Sequence, residues 1–464
     1  MKAVRERLRL NENHDGGLTL IEVVVALLIF AIVAVGVAYS LTNVLVLTKD
    51  GRSRIVAANL AASTIDSSRS VENIFTVLDI PNGTDNGQKV INGVRYYVKR
   101  STAWITSTDA DSQCGAAGNT VGGSLEYKRV NVTVTWDGMR PGTTPVRSDT
   151  LIAPIDRINQ VGLGTIVASV QLASGLASKD ITVSATPSAV SGNNAAAITE
   201  TILPTDAQGC SYILKVVPGS YDVKITRSGY IDVDQNLNSV TKMVVVTAGA
   251  SVSAGFQFDS ASTFTADYAA ANTEAALIPT NMKTTFVSTY GTVVSTTASK
   301  QLHPFPSGYT AIAGKYAAPT MVDDGCLSSD PSAWPTRLID GAIGLRQAPA
   351  TASPGGLATA DVSLGFVNVT GVGNKFLSAV QQASALGTDD PGCELVETYR
   401  FAKTTSSSVN LGLPYGSWLI YQSSNSNSLG SVVSSVSPIR GGLLGSGGTV
   451  VNQVVTLDPR VVTP

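Results

Sequence analysis

Histidine is almost missing from this chain. Two of its 464 residues are His, and His14 lies in a short polar leader. That leaves His303, in "QLHPFPSGY", as a loop residue expected to be solvated. A multi-His zinc centre cannot be built from one imidazole, and a His-based triad has a single candidate. Cysteine is scarce too. Cys114, Cys210, Cys326 and Cys393 form no C-x-x-C pair, which removes zinc-ribbon and thioredoxin-like readings. Asp, Glu, Lys and Arg make up only 14% of the chain and leave a formal charge of −2, so there is no basic footprint for nucleic acid. No G-x-S-x-G elbow and no H-E-x-x-H stretch occurs, and no enzymatic activity, cofactor or metal is expected. No proline precedes Pro81, so nothing breaks a helical pattern before it.

What is present begins at residue 16: "GGLTLIEVVVALLIFAIVAVGVAYSL". From Val23 to Thr48 there is neither charge nor proline, and about 20 apolar residues suffice to cross a bilayer. The leader before it carries Lys2, Arg5, Arg7 and Arg9 against Glu6, Glu12 and Asp15, a basic balance that holds it on the cytoplasmic side. The apolar run is too long for an ordinary cleaved signal, and only "AVGVA" at 34–38 resembles a cleavage site. Neither a signal peptide nor a plain anchor explains Glu22. A carboxylate at mid-bilayer costs about 2.5–3.5 kcal/mol on insertion scales, less near the end of the segment, and no Lys or Arg lies between Leu18 and Thr48 to offset it. A new α-amino group, made by cleavage beside the apolar run, would supply the cation.

Gly17-Leu18-Thr19-Leu20-Ile21-Glu22 resembles the prepilin cleavage and methylation motif of type IV pilins and type II secretion pseudopilins. The resemblance implies cleavage between Gly17 and Leu18 by a prepilin peptidase, N-methylation of Leu18, and pairing of Glu22 with the Leu18 amine of a neighbouring subunit. Leu18 stands where many members have Phe. A subunit in the wrong register leaves both charges unpaired in a low dielectric, so Glu22 reads as a register device, like a buried polar residue in a coiled coil.

After Gly51, "RSRIVAANLAASTIDSSRS" places Val56, Leu60, Ala61 and Ile65 at helical spacing, with Arg52, Arg54, Asp66 and Arg69 on a polar face. One helix over 18–70 is expected, with Lys49-Asp50-Gly51 as a soft point. "KVINGVRYYVKR" predicts a hairpin turning at Asn92-Gly93. "YKRVNVTVTWDG" alternates, with Val130, Val132, Val134 and Trp136 on one face, and "RSDTLIAPI" predicts a third strand. The missing proline and this strand pattern resemble minor pilins and pseudopilins more than major pilins.

Beyond residue 155 the chain is β-prone. The reading is a leader at 1–17, a pilin-like domain at 18–155, a linker at 156–164, a β-sandwich at 165–260, a loop-rich region of open boundary at 261–349 and a second sandwich at 350–464. The fold class is α+β: a long N-terminal helix on a small antiparallel sheet, then two or three all-β sandwich domains. "TDAQGCSYILKVVPGSYDVKITRSGY" resembles the prealbumin-like modules of carboxypeptidase regulatory and surface-protein domains, which act as stalks or spacers. "TDDPGCELVETYRF" with "LPYGSWLIY" repeats it in outline, Cys393 taking the place of Cys210 and Trp418 that of Tyr221. An even number of cysteines behind an export segment suits disulfides. Three full pairings are open, as is the state with all four free. Trp136 and Trp418 are expected in cores, and Trp334, in a Pro-flanked loop, is the candidate for facing a ligand.

The expected protein is a minor pilin-like subunit, held single-pass in the cytoplasmic membrane with its N-terminus inside, then built into a surface filament. Its expected partners are the peptidase, other pilin subunits, the membrane, and a surface or glycan ligand. The alternatives are a pseudopilin of a secretion or DNA-uptake system, and a membrane-anchored adhesin outside any filament.

Overall fold

The computed structural model describes residues 19–81, 87–106, 111–112, 114, 121–122, 125–154, 158, 160–268, 275–319, 325–384, 388–439 and 447–461. One long N-terminal helix is followed by many β-strands in several sheets, as the α+β reading expects.

The helix runs Leu20–Arg69, 50 residues without interruption, or about 75 Å at 1.5 Å per residue. The soft point expected at Lys49-Asp50-Gly51 does not break it. A glycine inside a helix costs only about 1 kcal/mol relative to alanine, and the turns on both sides of Gly51 keep their hydrogen-bond ladder. The helix stops at Ser70, whose N–H donates to the Asp66 carbonyl at 3.0 Å.

The chain divides into two compact units. The first comprises residues 1–103 and 127–155. Its strands follow the order Gln88–Ile91, Val94–Thr106, Leu125–Trp136, Val146–Ile152. The first hairpin closes on Asn92 and Gly93, both at positive φ (51° and 76°), which is the type I′ geometry their sequence demands. Val130, Val132, Val134 and Trp136 are buried on one face of their strand. They share a hydrophobic cluster with Tyr96 and Val98 and with Ala57, Ala61 and Ile65 of the helix. The helix residues buried here are Ser53, Ala57, Ala61, Ile65 and Ser68, mostly small, which lets the helix backbone come close to its neighbours. At its end Arg69 donates to the Thr150 hydroxyl at 2.6 Å.

The second unit comprises 104–126 and 156–464. The sequence drew 18–155 as one continuous stretch, whereas residues 104–126 group with the later chain. That grouping is non-local: Val121–Gly122 pairs with Ser251–Val252, and the Trp104 indole donates to the Tyr212 hydroxyl at 3.0 Å. Within this unit Thr182–Pro187, Gly219–Asp232 and Leu237–Val246 pair antiparallel, and Ser251–Ser260 runs parallel to Gly164–Gln171. Their inward residues, among them Ile166, Tyr221, Val223, Ile225 and Phe258, form one cluster. A second cluster gathers residues from Phe264 to Leu457. The stretch left open at 261–349 therefore packs together with the later strands. Ser262–Asp267 pairs in parallel with Leu357–Asp361, and Lys283 forms an ion pair with Glu397 at 2.7 Å.

Candidate functional site

The start of the helix is the place to look, because the sequence concentrates its one unexplained charge there. Gly17 and Leu18 lie outside the described residues. Thr19 is the N-cap, with extended backbone. Its hydroxyl accepts from the Glu22 N–H at 3.3 Å, and its own N–H donates to Glu22 Oε2 at 3.4 Å. This is a capping box, Thr-x-x-Glu, which satisfies two of the donors that every helix start leaves orphaned. The carboxylate also sits at the positive end of the helix dipole. The Thr19-x-x-Glu22 spacing is itself the local sequence signal for this box.

From Leu20 to Leu47 the helix is exposed on every side. Leu20, Phe30 and Tyr39 are 83%, 70% and 69% exposed, and the apolar residues between Ile21 and Leu47 are exposed as well. Glu22 is the only charge from Leu20 to Thr48. It is the one helix among the described residues long and apolar enough to cross a membrane. A helix that is apolar all round must be covered by lipid or by other helices. The second half, by contrast, buries one stripe against the cluster of the first unit.

Residues 13–38 match the family model of the prokaryotic N-terminal methylation motif. The chain carries that motif. It is consistent with a type IV pilin-like protein, and it implies processing by a prepilin peptidase and pilin assembly. The apolar helix fits membrane anchoring and a surface filament.

No curated protein matches the chain. Among solved structures it is similar to the Bacillus anthracis TIE protein, at 12% identity over 75% of this chain and 68% of that one, with a TM-score of 0.19. It is also similar to a streptococcal ancillary pilin, at 12% identity over 41% and 67%, TM-score 0.18. A third is BcpA, the major pilin subunit of Bacillus cereus, at 9% identity over 64% and 95%, TM-score 0.18.

The cysteines resolve into two disulfides, Cys114–Cys210 and Cys326–Cys393. The first ties residues 104–126 to the strand Cys210–Val216. Tyr212, in the same strand, is held protonated by burial, which pushes its hydroxyl well above the usual phenol range.

Two loop residues differ from expectation. Trp334, expected to face a ligand, is turned inward. It is 4% exposed, its indole donates to the Ser328 carbonyl at 2.9 Å, and the Arg460 guanidinium lies over its ring. His303 is not solvated but fully buried. Flanking prolines mark a loop, but they do not say which side of the loop meets the core. Trp136 and Trp418 are buried as expected. Among the described residues no group of His, Cys, Asp and Glu could hold a metal ion.

Proposed function

We propose that this chain is a minor pilin-type structural subunit without catalytic activity. It is cleaved between Gly17 and Leu18, methylated on the Leu18 amine, held single-pass in the cytoplasmic membrane with its N-terminus inside, and built through its helix into a surface filament. The first unit is then the pilin-type helix-on-sheet body. The sheets beyond residue 155 are sandwich modules displayed for adhesion or assembly. If every subunit bore such modules, lateral packing would be obstructed, so the subunit sits sparsely or at the filament tip. The observation that carries this reading is the methylation motif at 13–38, overlapping a helix bare in its first half and packed in its second.

Glu22 has two uses in this reading, and they can be separated. In the free subunit it closes its own capping box. In a filament it would also receive the cationic amine of an adjacent subunit. Gln is an equally good partner in a capping box, but it carries no charge. Glu22→Gln is expected to abolish incorporation into fibres as fully as Glu22→Leu, with the helix start intact. Incorporation of the Gln variant at wild-type level would show that the cap alone matters and remove the register role. Mass spectrometry of the mature chain tests the processing step, and it should find a start at Leu18 with one added methyl group.

A further inference from the structure

The two clusters of the second unit meet at a small set of polar groups around His303. Its imidazole is fully buried, and neither ring nitrogen has a hydrogen-bond partner. The ring leans on Phe305, 4.6 Å between centroids, and Phe305 in turn stacks on Tyr290 at 4.1 Å. The backbone bridges the joint. The His303 N–H donates to Gln235 Oε1 at 3.0 Å, Gln235 Nε2 donates to the Tyr309 hydroxyl at 3.2 Å, and that hydroxyl donates to the His303 carbonyl at 3.0 Å. Gln235 follows the strand Gly219–Asp232 of one cluster, while Phe305 and Tyr309 belong to the other.

The titratable groups that face His303 are Asp232 and Asp259, with Tyr309 on its carbonyl. Both carboxylates are already occupied. Asp232 accepts from the Asn236 N–H and side chain, and Asp259 accepts from Ala173 N and Ser260 N. They attract a proton to His303 without bonding it. Burial acts against them and is the larger influence, holding the imidazole below its ordinary range. A charged imidazole here would have no acceptor, and an unpaired buried charge is expensive.

We propose that His303 makes the joint between the two β regions acid-sensitive: protonation is compatible only with an opened joint, so acid loosens the Gln235–His303–Tyr309 bridge. The sign follows from linkage. The opened form takes up a proton near the ordinary histidine value of about 6.5 while the closed form does not. Closure is therefore complete above that value and is lost as pH falls toward the lowered one, by about tenfold per pH unit.

The test uses the full-length chain in detergent micelles. Hydrogen exchange at 231–236 and 299–309, corrected for intrinsic pH dependence, is compared at pH 7.5 and 5.0. Wild type is expected to open up to about 30-fold more at pH 5.0, and His303→Gln to show no such rise. No rise in wild type, or an equal rise in the variant, overturns the proposal. Should the variant not fold, titration of the wild-type imidazoles decides. His14 is the only other histidine, and a His14→Gln variant assigns the two signals. A His303 signal at or above about 6.5 overturns the idea, and one well below supports it.

Discussion

Two strips of the second unit, 205–221 and 388–418, share their wording and differ in what holds them. Each has a glycine at positive φ, Gly209 at 75° and Gly392 at 93°, followed by a disulfide-bonded cysteine. Each ends on a fully buried aromatic whose polar tip reaches the carbonyl four residues back. Tyr221 OH meets the Val217 carbonyl at 2.9 Å, and Trp418 Nε1 meets the Pro414 carbonyl at 2.9 Å. The acids diverge. In the first strip Asp206 accepts from Gln208 N and Cys210 N, within its own turn. In the second, the aligned Asp389 instead pairs with Arg460 at 2.8 Å. The next residue, Asp390, takes over the turn, accepting from Gly392 N while also accepting from the Ser328 and Ser417 hydroxyls. The same local words thus keep their turn and their aromatic tie, while the second strip adds a buried carboxylate that fastens three segments together.

The largest expected effect follows from that asymmetry. The disulfides close chain separations of 96 and 67 residues, and in the chain-entropy account each is worth at most about 4.5 kcal/mol. Replacing both members of either pair by Ser should cost about 2–4 kcal/mol in denaturant unfolding. The local consequences should differ. Without Cys114–Cys210 the pairing of Val121–Gly122 with Ser251–Val252 loses its covalent support, and protection at those residues should fall steeply. Without Cys326–Cys393 the Asp390 network still holds Ser328 and Ser417, so protection there should fall only partly. Equal loss of protection at both places would erase the comparison.

The two turn glycines sharpen it at the next level. Both need a left-handed backbone that alanine resists. A Cβ on Gly209 would also lie 2.4 Å from the Val170 carbonyl oxygen, whereas on Gly392 its nearest neighbour is the Ala383 oxygen at 3.1 Å. Gly209→Ala should therefore cost about 3 kcal/mol or more, and Gly392→Ala about 1–2 kcal/mol. Thermal or urea unfolding of the two single variants gives the ratio directly.

Much of this was legible locally. The alternation at 130–136 and the Asn92-Gly93 turn depend on neighbours in sequence, and both are found. The likeness of the two strips was visible in their words, and their turns and aromatic ties bear it out. The first half of the helix was readable because lipid-like composition leaves few alternatives. What escaped was decided far away in the chain. Which cysteines pair, why 104–126 leaves the first unit, and why Trp334 and His303 turn inward are settled by partners such as Cys210, Tyr212, Ser328 and Gln235, which no local period announces. The capping box at Thr19 and Glu22 is the exception, being local and simply outweighed by a stronger signal. The shift of the turn acid from Asp389 to Asp390 lies between these cases. Both acids are in the sequence, but Arg460 at the far end of the chain decides which one is free to serve the turn.

The smallest effect separates the two aromatic ties. The Tyr221 hydroxyl does more than reach Val217, for it also accepts from Ala196 N at 3.1 Å and lies 3.0 Å from the Ala196 carbonyl. It thereby pins the loop that Asn193 also fastens through Ser188 and Ser220. The Trp418 N–H serves its own turn alone. Tyr221→Phe removes one oxygen and leaves the ring, at an expected cost of about 1–2 kcal/mol because a distant backbone N–H loses its acceptor. Replacing the Trp418 indole N–H by sulfur, as benzothienylalanine, keeps the shape and should cost about 1 kcal/mol or less. Hydrogen exchange distinguishes them more sharply than stability does. The Tyr221 variant should loosen amides at 195–197, well outside its own turn, while the Trp418 analogue should change nothing beyond 414–418. Loosening of a remote segment in the Trp418 analogue would mean that the second strip relies on its aromatic as widely as the first, and that the Asp390 network has not taken over that work.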